Sequence, residues 1–441
     1  MNRTLAGDLV ECLALTGSPE MRLHRLKRLS RREWESTLSW LDLSGLSLAF
    51  WDRLTSLGAA DAIPLRAGTR LARNLADHRL RVAAMMEEFN SLNRRFECAG
   101  IEYAVWKGFS LIPQYCTDPC LRASYDYDYL ISEDARDRAE KVLQAAGYLR
   151  KPSRGPEHHT TFLPPNFPAR PAPLSGGLYA ATLPRKVELH VRLWDEQAFR
   201  IPLNVPARPL DRRLLRTSQG LAFYSLGDED ALMFQALHAF QHILHNWCRL
   251  GWLREIAYFL ERQSADTSFW TRFHAHLAGD QPLTEVVALV FTLASRLFHT
   301  TLPLPIKGPL LGSLRPQVSL WVDQYGLCSA FDNFAENKYT LFLYRELVRD
   351  EAVWQEIRKN RLLPLHRPNH AAGVAAPATF ASLPASWRQG WYVVRRLIHH
   401  SVGGARYAWE SARWQRIKTR AGRPILSSLR LARESNERVI R

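Results

Sequence analysis

The stretch from Tyr103 to Ile131 constrains what this chain can fold into more than any other. It opens with a short apolar run, Tyr103-Ala104-Val105-Trp106, that suits a buried strand, and it breaks at Lys107-Gly108, where a helix is expected to start. A second strand is expected over Tyr125-Asp126-Tyr127-Asp128-Tyr129-Leu130-Ile131. Side chains alternate between the two faces of a strand, so Asp126 and Asp128 share one face, about 7 Å apart along it. Two carboxylates on one face repel each other, and a strand otherwise made of Tyr, Leu and Ile has no packing need for them. A divalent cation removes the repulsion, and Mg²⁺ is the natural partner of paired carboxylates.

A later segment alternates in the same way. Val187, Leu189, Val191 and Leu193 fall on one face, and Lys186, Glu188, His190 and Arg192 on the other. On spacing alone this is a half-buried strand whose polar face either meets solvent or looks into the cleft of Asp126 and Asp128. Between Pro152 and Pro184 the chain is rich in proline and glycine and reads as a loop over one edge of that cleft. It contains Glu157-His158-His159-Thr160, where two adjacent histidines on extended chain face opposite ways, so at most one points at the cleft.

Taken in order, Lys107-Gly108, Tyr115, Arg122, Asp126-Tyr127-Asp128, Gly147-Tyr148 and Glu188-Leu189-His190 resemble the bacterial family of uncharacterised nucleotidyltransferases, within the DNA polymerase beta-like superfamily. The resemblance covers roughly residues 65 to 275, and its specificity lies in the ordered set, since a lone Asp-x-Asp is common. It implies an α+β fold: a polymerase-beta-like sheet with flanking helices, embedded between mostly helical N-terminal and C-terminal regions. It also implies Mg²⁺-dependent transfer of a nucleoside monophosphate from a nucleoside triphosphate to an acceptor, which is a small molecule, a peptide or a protein. Mn²⁺ is an alternative metal. Under this resemblance Asp126, Asp128 and Glu188 are the catalytic, metal-ligating carboxylates, and Lys107, Gly108, Ser110, Arg122 and His190 contact the nucleotide. In such chemistry the protein aligns groups and neutralises charge, with two metal ions activating the nucleophile and stabilising the departing pyrophosphate. Gly108 lets backbone approach phosphate, beside helix N-terminal N–H groups, and Arg122 is a candidate bidentate phosphate clamp. The wider superfamily has Gly-Gly or Gly-Ser at the turn, whereas here a lysine precedes the glycine. Lys107 then either holds the triphosphate or stands in for a metal contact. The competing readings are a catalytically silent nucleotide- or partner-binding module and a nucleic-acid-binding protein acting through its basic tail.

The rest of the chain frames this core. Its 441 residues, 46% apolar, suffice for several domains and a substantial core. Expected regions are an N-terminal helical region (1–97), the nucleotidyltransferase core (98–205), a helical domain (206–363), a proline- and alanine-rich linker (364–385) and a basic tail (386–441). No uninterrupted run of about 18 apolar residues appears, and the N-terminus lacks a signal-peptide core, which reads as a cytoplasmic protein with no transmembrane segment. Six cysteines do not form a disulfide framework, and Cys116 and Cys120 lack the second pair a zinc site needs.

From Pro64 to Phe96 an amphipathic helix is expected, its apolar stripe interrupted by His78. Ser132 is expected to cap a helix running to Gly147. After Gly227 one long helical stretch carries His238, His242 and His245 on one face; packing beside the substrate or between domains suits them better than metal ligation, because His-Glu-x-x-His is absent. Of the formal charge of +16, most sits between Arg388 and Arg441, where thirteen Lys and Arg face three Glu. Either this tail meets a polyanion, or Trp387, Trp391, Trp409 and Trp414 dock it as helices with the arginines outward.

Overall fold

The computed structural model describes residues 3–16, 20–152, 159–165, 167, 177–331, 338–363 and 385–421. The chain divides into two compact units, Met1–Ser313 with Leu327–Asn333, and Leu314–Gly326 with Phe334–Arg441. The first unit is α+β and is built on one mixed seven-stranded sheet. Its strands are β1 (Tyr103–Val105), β2 (Asp126–Ile131), β3 (Leu149–Arg150), β4 (His159–Leu163), β5 (Lys186–His190), β6 (Leu214–Ser218) and β7 (Leu221–Ser225). They lie in the order β3-β4-β5-β2-β1-β7-β6. β2 runs antiparallel to β1 and parallel to β5, and the register sets Asp126 beside Lys186 and Asp128 beside Glu188.

Helices cover the sheet as the alternation demands. α1 (Arg31–Ser44) opens on a capping box in which Ser30 accepts from the Glu33 N–H and the Glu33 carboxylate accepts from the Ser30 N–H. It leads through α2 (Ser47–Ser56) to α3 (Leu65–Cys98), whose Val82, Met85, Phe89, Leu92 and Phe96 pack on Tyr127, Tyr129, Val187 and Leu189. The Phe89 ring stacks on Tyr127 and Tyr129 at 6.0 and 6.2 Å. A tyrosine strand can be buried this way because its hydroxyls find acceptors: Tyr127 donates to Glu88 at 2.8 Å, Tyr129 to Asn93 at 2.8 Å. His78, the break in the stripe, is wholly buried and reaches the Arg122 carbonyl at 2.9 Å.

Four local expectations change. Lys107-Gly108 opens a four-residue 3₁₀ turn, Gly108–Leu111, and no α-helix, because Ile112 precedes Pro113 and is extended, with φ −98° and ψ 132°. Ser132 makes no side-chain cap; a 3₁₀ turn, Glu133–Ala135, precedes α4 (Arg136–Ala145). The proline-rich stretch contributes β4, which pairs antiparallel with β5; Glu157, His158 and residues 168–176 lie outside the described residues. The long stretch after Gly227 is two helices, α5 (Asp228–Leu244) and α6 (Leu250–Arg262), separated where Asn246 takes a positive φ of 55°.

α7 (Gln281–Phe298) is long and apolar enough by length and composition to cross a membrane, but 72% of it is buried inside the protein, as befits a core helix. In the second unit α8 (Thr340–Leu347) supplies Phe342, which stacks on Tyr407 and Trp414 of the 37-residue α9 (Ala385–Ala421) at 4.9 and 5.6 Å. Of the residues read as a linker, 364–385, the first twenty-one (364–384) lie outside the described residues and Ala385 begins α9; the chain after 421 also lies outside them.

Candidate metal and nucleotide site

The face of β2 and β5 turned away from α3 carries Asp126, Asp128, Glu188 and His190, by the same alternation that gives Tyr127, Tyr129, Val187 and Leu189 to the core. Ligand atoms of Asp128, Glu188 and His190 all lie within 4.8 Å of one another. Asp128, 2% exposed, is the hub: Lys107 Nζ donates to its Oδ1 at 3.1 Å, and His190 Nε2 lies 3.0 Å from the same oxygen. His190 Nε2 is 3.7 Å from Glu188 Oε2. Burial alone would lift the Asp128 carboxyl, but the Lys107 ammonium and His190 outweigh it and hold Asp128 well below the usual carboxylate range. Its neighbours go the other way. Burial, then the Asp128 charge, raises Asp126, and burial with Asp128 and Asp126 pushes Glu188 up to about 7. Three carboxyls therefore share less positive charge than they need, and Asp128, Glu188 and His190 are placed where they could hold a metal ion.

The glycine turn stands beside this cluster. Gly108 has a φ of +65°, a conformation that costs an L-residue energy and glycine nothing. Lys107, Gly108, Arg122, Asp126 and Asp128 line one cavity. Ser110 is not part of that wall; its Oγ donates to the Lys107 carbonyl at 3.2 Å and so braces the turn. Lys107 Nζ also sits 3.9 Å over the Trp106 ring.

Arg122 is held from two sides that its sequence neighbours do not announce. Its Nε pairs with Glu255 of α6 at 2.9 Å, its Nη1 donates to Ser124 Oγ at 2.6 Å, and its carbonyl meets His78 of α3. Burial lifts the Glu255 carboxyl and Arg122 opposes the lift. Glu255 was visible as an acid among Leu253, Ile256 and Ala257, and a charge on an apolar helix face needs a partner.

On the other side of the cluster His159 of β4 stacks on His190 at 5.2 Å, and Trp106 meets His190 edge-on at 5.2 Å. Gln235 of α5 fixes Trp106 by donating to its carbonyl at 2.7 Å. His238 and His242 pack on Trp252 at 4.5 and 4.4 Å, and burial pushes His238 well below its ordinary range and His242 down to about 3, so both are neutral. Their Nδ1 atoms find no partner among the described residues. His245 is separate from them, at the end of α5 against Phe199.

A mixed sheet with acidic residues on the matched faces of two neighbouring parallel strands, next to a glycine turn, is the framework of a nucleotidyltransferase. The sequence model of the uncharacterised nucleotidyltransferase family matches residues 30–299, and the chain belongs to that family. The match takes in α1 and α2 ahead of the sheet and α7 after it, further in both directions than residues 65 to 275. No curated protein and no solved structure matches the chain.

Proposed function

We propose that the chain transfers a nucleoside monophosphate from a nucleoside triphosphate to an acceptor, with Mg²⁺ or Mn²⁺ held by Asp128, Glu188 and Asp126. The convergence of Asp128, Glu188 and His190 ligand atoms within 4.8 Å, in a member of this family, carries the proposal. The donor set fits the ion: oxygen donors suit Mg²⁺, and an imidazole among them also admits Mn²⁺. When bound, the metal supplies positive charge at the phosphoryl oxygens and at the attacking nucleophile.

The chain's own residues do the rest. Lys107 neutralises Asp128 at 3.1 Å, and with a cation at that carboxylate it would be available to a triphosphate oxygen. Gly108 lets backbone come close to phosphate without a side chain in the way. His190, fixed between Trp106 and His159, orients Asp128 as a hydrogen-bond partner and keeps its carboxylate from turning. Arg122, locked by Glu255, presents a guanidinium at the wall of the same cavity. Glu188, pushed up to about 7 by burial and its carboxylate neighbours, would hold the cation as a carboxylate, so binding would be coupled to proton release.

The test is incubation with each α-labelled nucleoside triphosphate, with and without Mg²⁺, against small-molecule, peptide and protein acceptors, read by mass spectrometry. The proposal expects a metal-dependent mass increase of one nucleotide on an acceptor and release of pyrophosphate. Nucleotide binding without turnover on any acceptor class would favour the silent binding module.

A further inference from the structure

The second unit carries a surface unrelated to the chemistry at the sheet. One face of α9 is packed: Tyr407 and Trp414 on Phe342, Glu410 accepting from the Tyr325 hydroxyl at 3.0 Å, Lys418 paired with Glu346. A neighbouring face is exposed. Trp387, Trp391, Val394, Ile398 and Val402 follow one another at steps of four, three, four and four residues, and Trp409 continues the line after seven. At about 100° per residue these positions form one straight stripe, roughly 33 Å long. All six are exposed, Trp387 at 70% and Trp409 at 84%, with Leu397 at its edge. A soluble helix normally turns such a stripe inward.

Charge accompanies the stripe. Arg395, Arg406 and Arg413 lie roughly 60–80° round the helix from it, along a single flank. The helix holds eight Lys and Arg and one acid, Glu410, which Tyr325 and Arg413 already engage. Chain beyond residue 421 adds five arginines and two glutamates.

We propose that this face of α9 is an interfacial anchor that lies on an anionic lipid surface. Exposed tryptophans with aliphatic residues between them and arginines on the flank are what the boundary between headgroups and acyl chains takes up. A nucleic acid offers phosphates to the arginines and stacking to the tryptophans but leaves Val394, Ile398 and Val402 in water. A straight stripe running along one side of a helix suits a flat surface.

Full-length protein is spun with phosphatidylcholine vesicles and with mixed phosphatidylcholine–phosphatidylglycerol vesicles, at low and high salt. The proposal expects co-sedimentation with the anionic vesicles, weakened by salt. Quenching of tryptophan fluorescence by brominated lipid is expected to accompany it. Ile398→Ser with Val402→Ser should lower partitioning about tenfold or more, since two buried aliphatic side chains are lost from the contact. Arg395→Gln and Arg406→Gln should each cost about fivefold on anionic vesicles only. Because all four side chains are exposed, thermal melting should move little. No binding to anionic vesicles overturns the proposal. So does duplex DNA binding that exceeds vesicle binding and ignores the Ile398/Val402 change, or concentration-dependent self-association that the same change abolishes while vesicles are left unbound.

Discussion

β2 and β5 have two faces, and the chain spends them differently. Toward α3 they present Tyr127, Tyr129, Val187 and Leu189, the aliphatic pair satisfied by close packing and the tyrosine hydroxyls by acceptors on α3. Toward the other side they present Asp126, Asp128, Glu188 and His190, which are crowded, charged and incompletely neutralised by Lys107. One residue step separates the two. The core face supplies stability and rigidity, and the opposite face uses that rigidity to hold like charges at distances they would otherwise leave.

The sharpest break in the comparison is Asp128→Asn. Losing this charge at nearly constant volume is expected to cut nucleotide transfer by about three orders of magnitude, the upper range for removing one preorganised electrostatic group. Far-ultraviolet circular dichroism should stay native, and Asp126→Asn should follow the same pattern. Turnover near wild type in both would remove the carboxylates from the chemistry. The mirror experiment is Phe89→Ala, which empties the aromatic stack beneath the same strands. It should cost about 3–5 kcal/mol in urea unfolding while molecules that remain folded keep their transfer rate. Loss of activity with little loss of stability there would mean the two faces do not divide labour.

How much of this division could be read in the sequence follows from what the chain geometry fixes locally. Alternation along Tyr125–Ile131 and Lys186–Leu193 is a period-two property, so the sharing of one face by Asp126 and Asp128, and of another by Glu188 and His190, was legible, whereas the α+β class came from the family resemblance. Pairing is a long-range property. Nothing near Asp128 says that Glu188, sixty residues on, is its neighbour in register, and only the family resemblance suggested it. The break between α5 and α6 was hidden because Trp247, Cys248 and Leu250 prolong the apolar pattern through a turn set by Asn246. β4 was hidden among prolines because its hydrogen bonds come from β5 and not from local propensity. Glu255 and His78, which pin Arg122, belong to helices far away in sequence.

Smaller effects sharpen the site face itself. Glu188→Gln should lower transfer steeply whereas Lys186→Ala changes it little, although both stand on one face of β5; only Glu188 lies among the clustered ligand atoms. Steady-state rates on the two variants decide it, and equal small losses would place the third carboxylate elsewhere. Lys107→Ala should raise KM for the nucleotide more than it lowers kcat, because a lysine on a phosphate contributes alike to ground and transition states. A large kcat loss at unchanged KM would contradict that role.

The smallest effect tests the buried support behind Arg122. Burial pushes His78 down to about 4 from an ordinary 6.5, so the folded protein holds it neutral at the Arg122 carbonyl. Its contribution is complete above about 6.5 and is lost as pH falls toward 4, with a slope of up to about 1.4 kcal/mol per pH unit. His78→Gln should flatten urea stability between pH 7 and pH 5 by part of that slope, the remainder belonging to His238 and His242. An unchanged slope would remove His78 from the acid response.

The central claim is that the charged face binds a divalent cation, and the paramagnetic resonance signal of free Mn²⁺ titrated with protein tests it most directly. The account predicts that wild-type protein depletes that signal saturably, that Mg²⁺ competes, and that Asp128→Asn abolishes the depletion while Tyr129→Phe, on the opposite face of the same strand, leaves it intact. Equal Mn²⁺ binding by wild type and Asp128→Asn would contradict it.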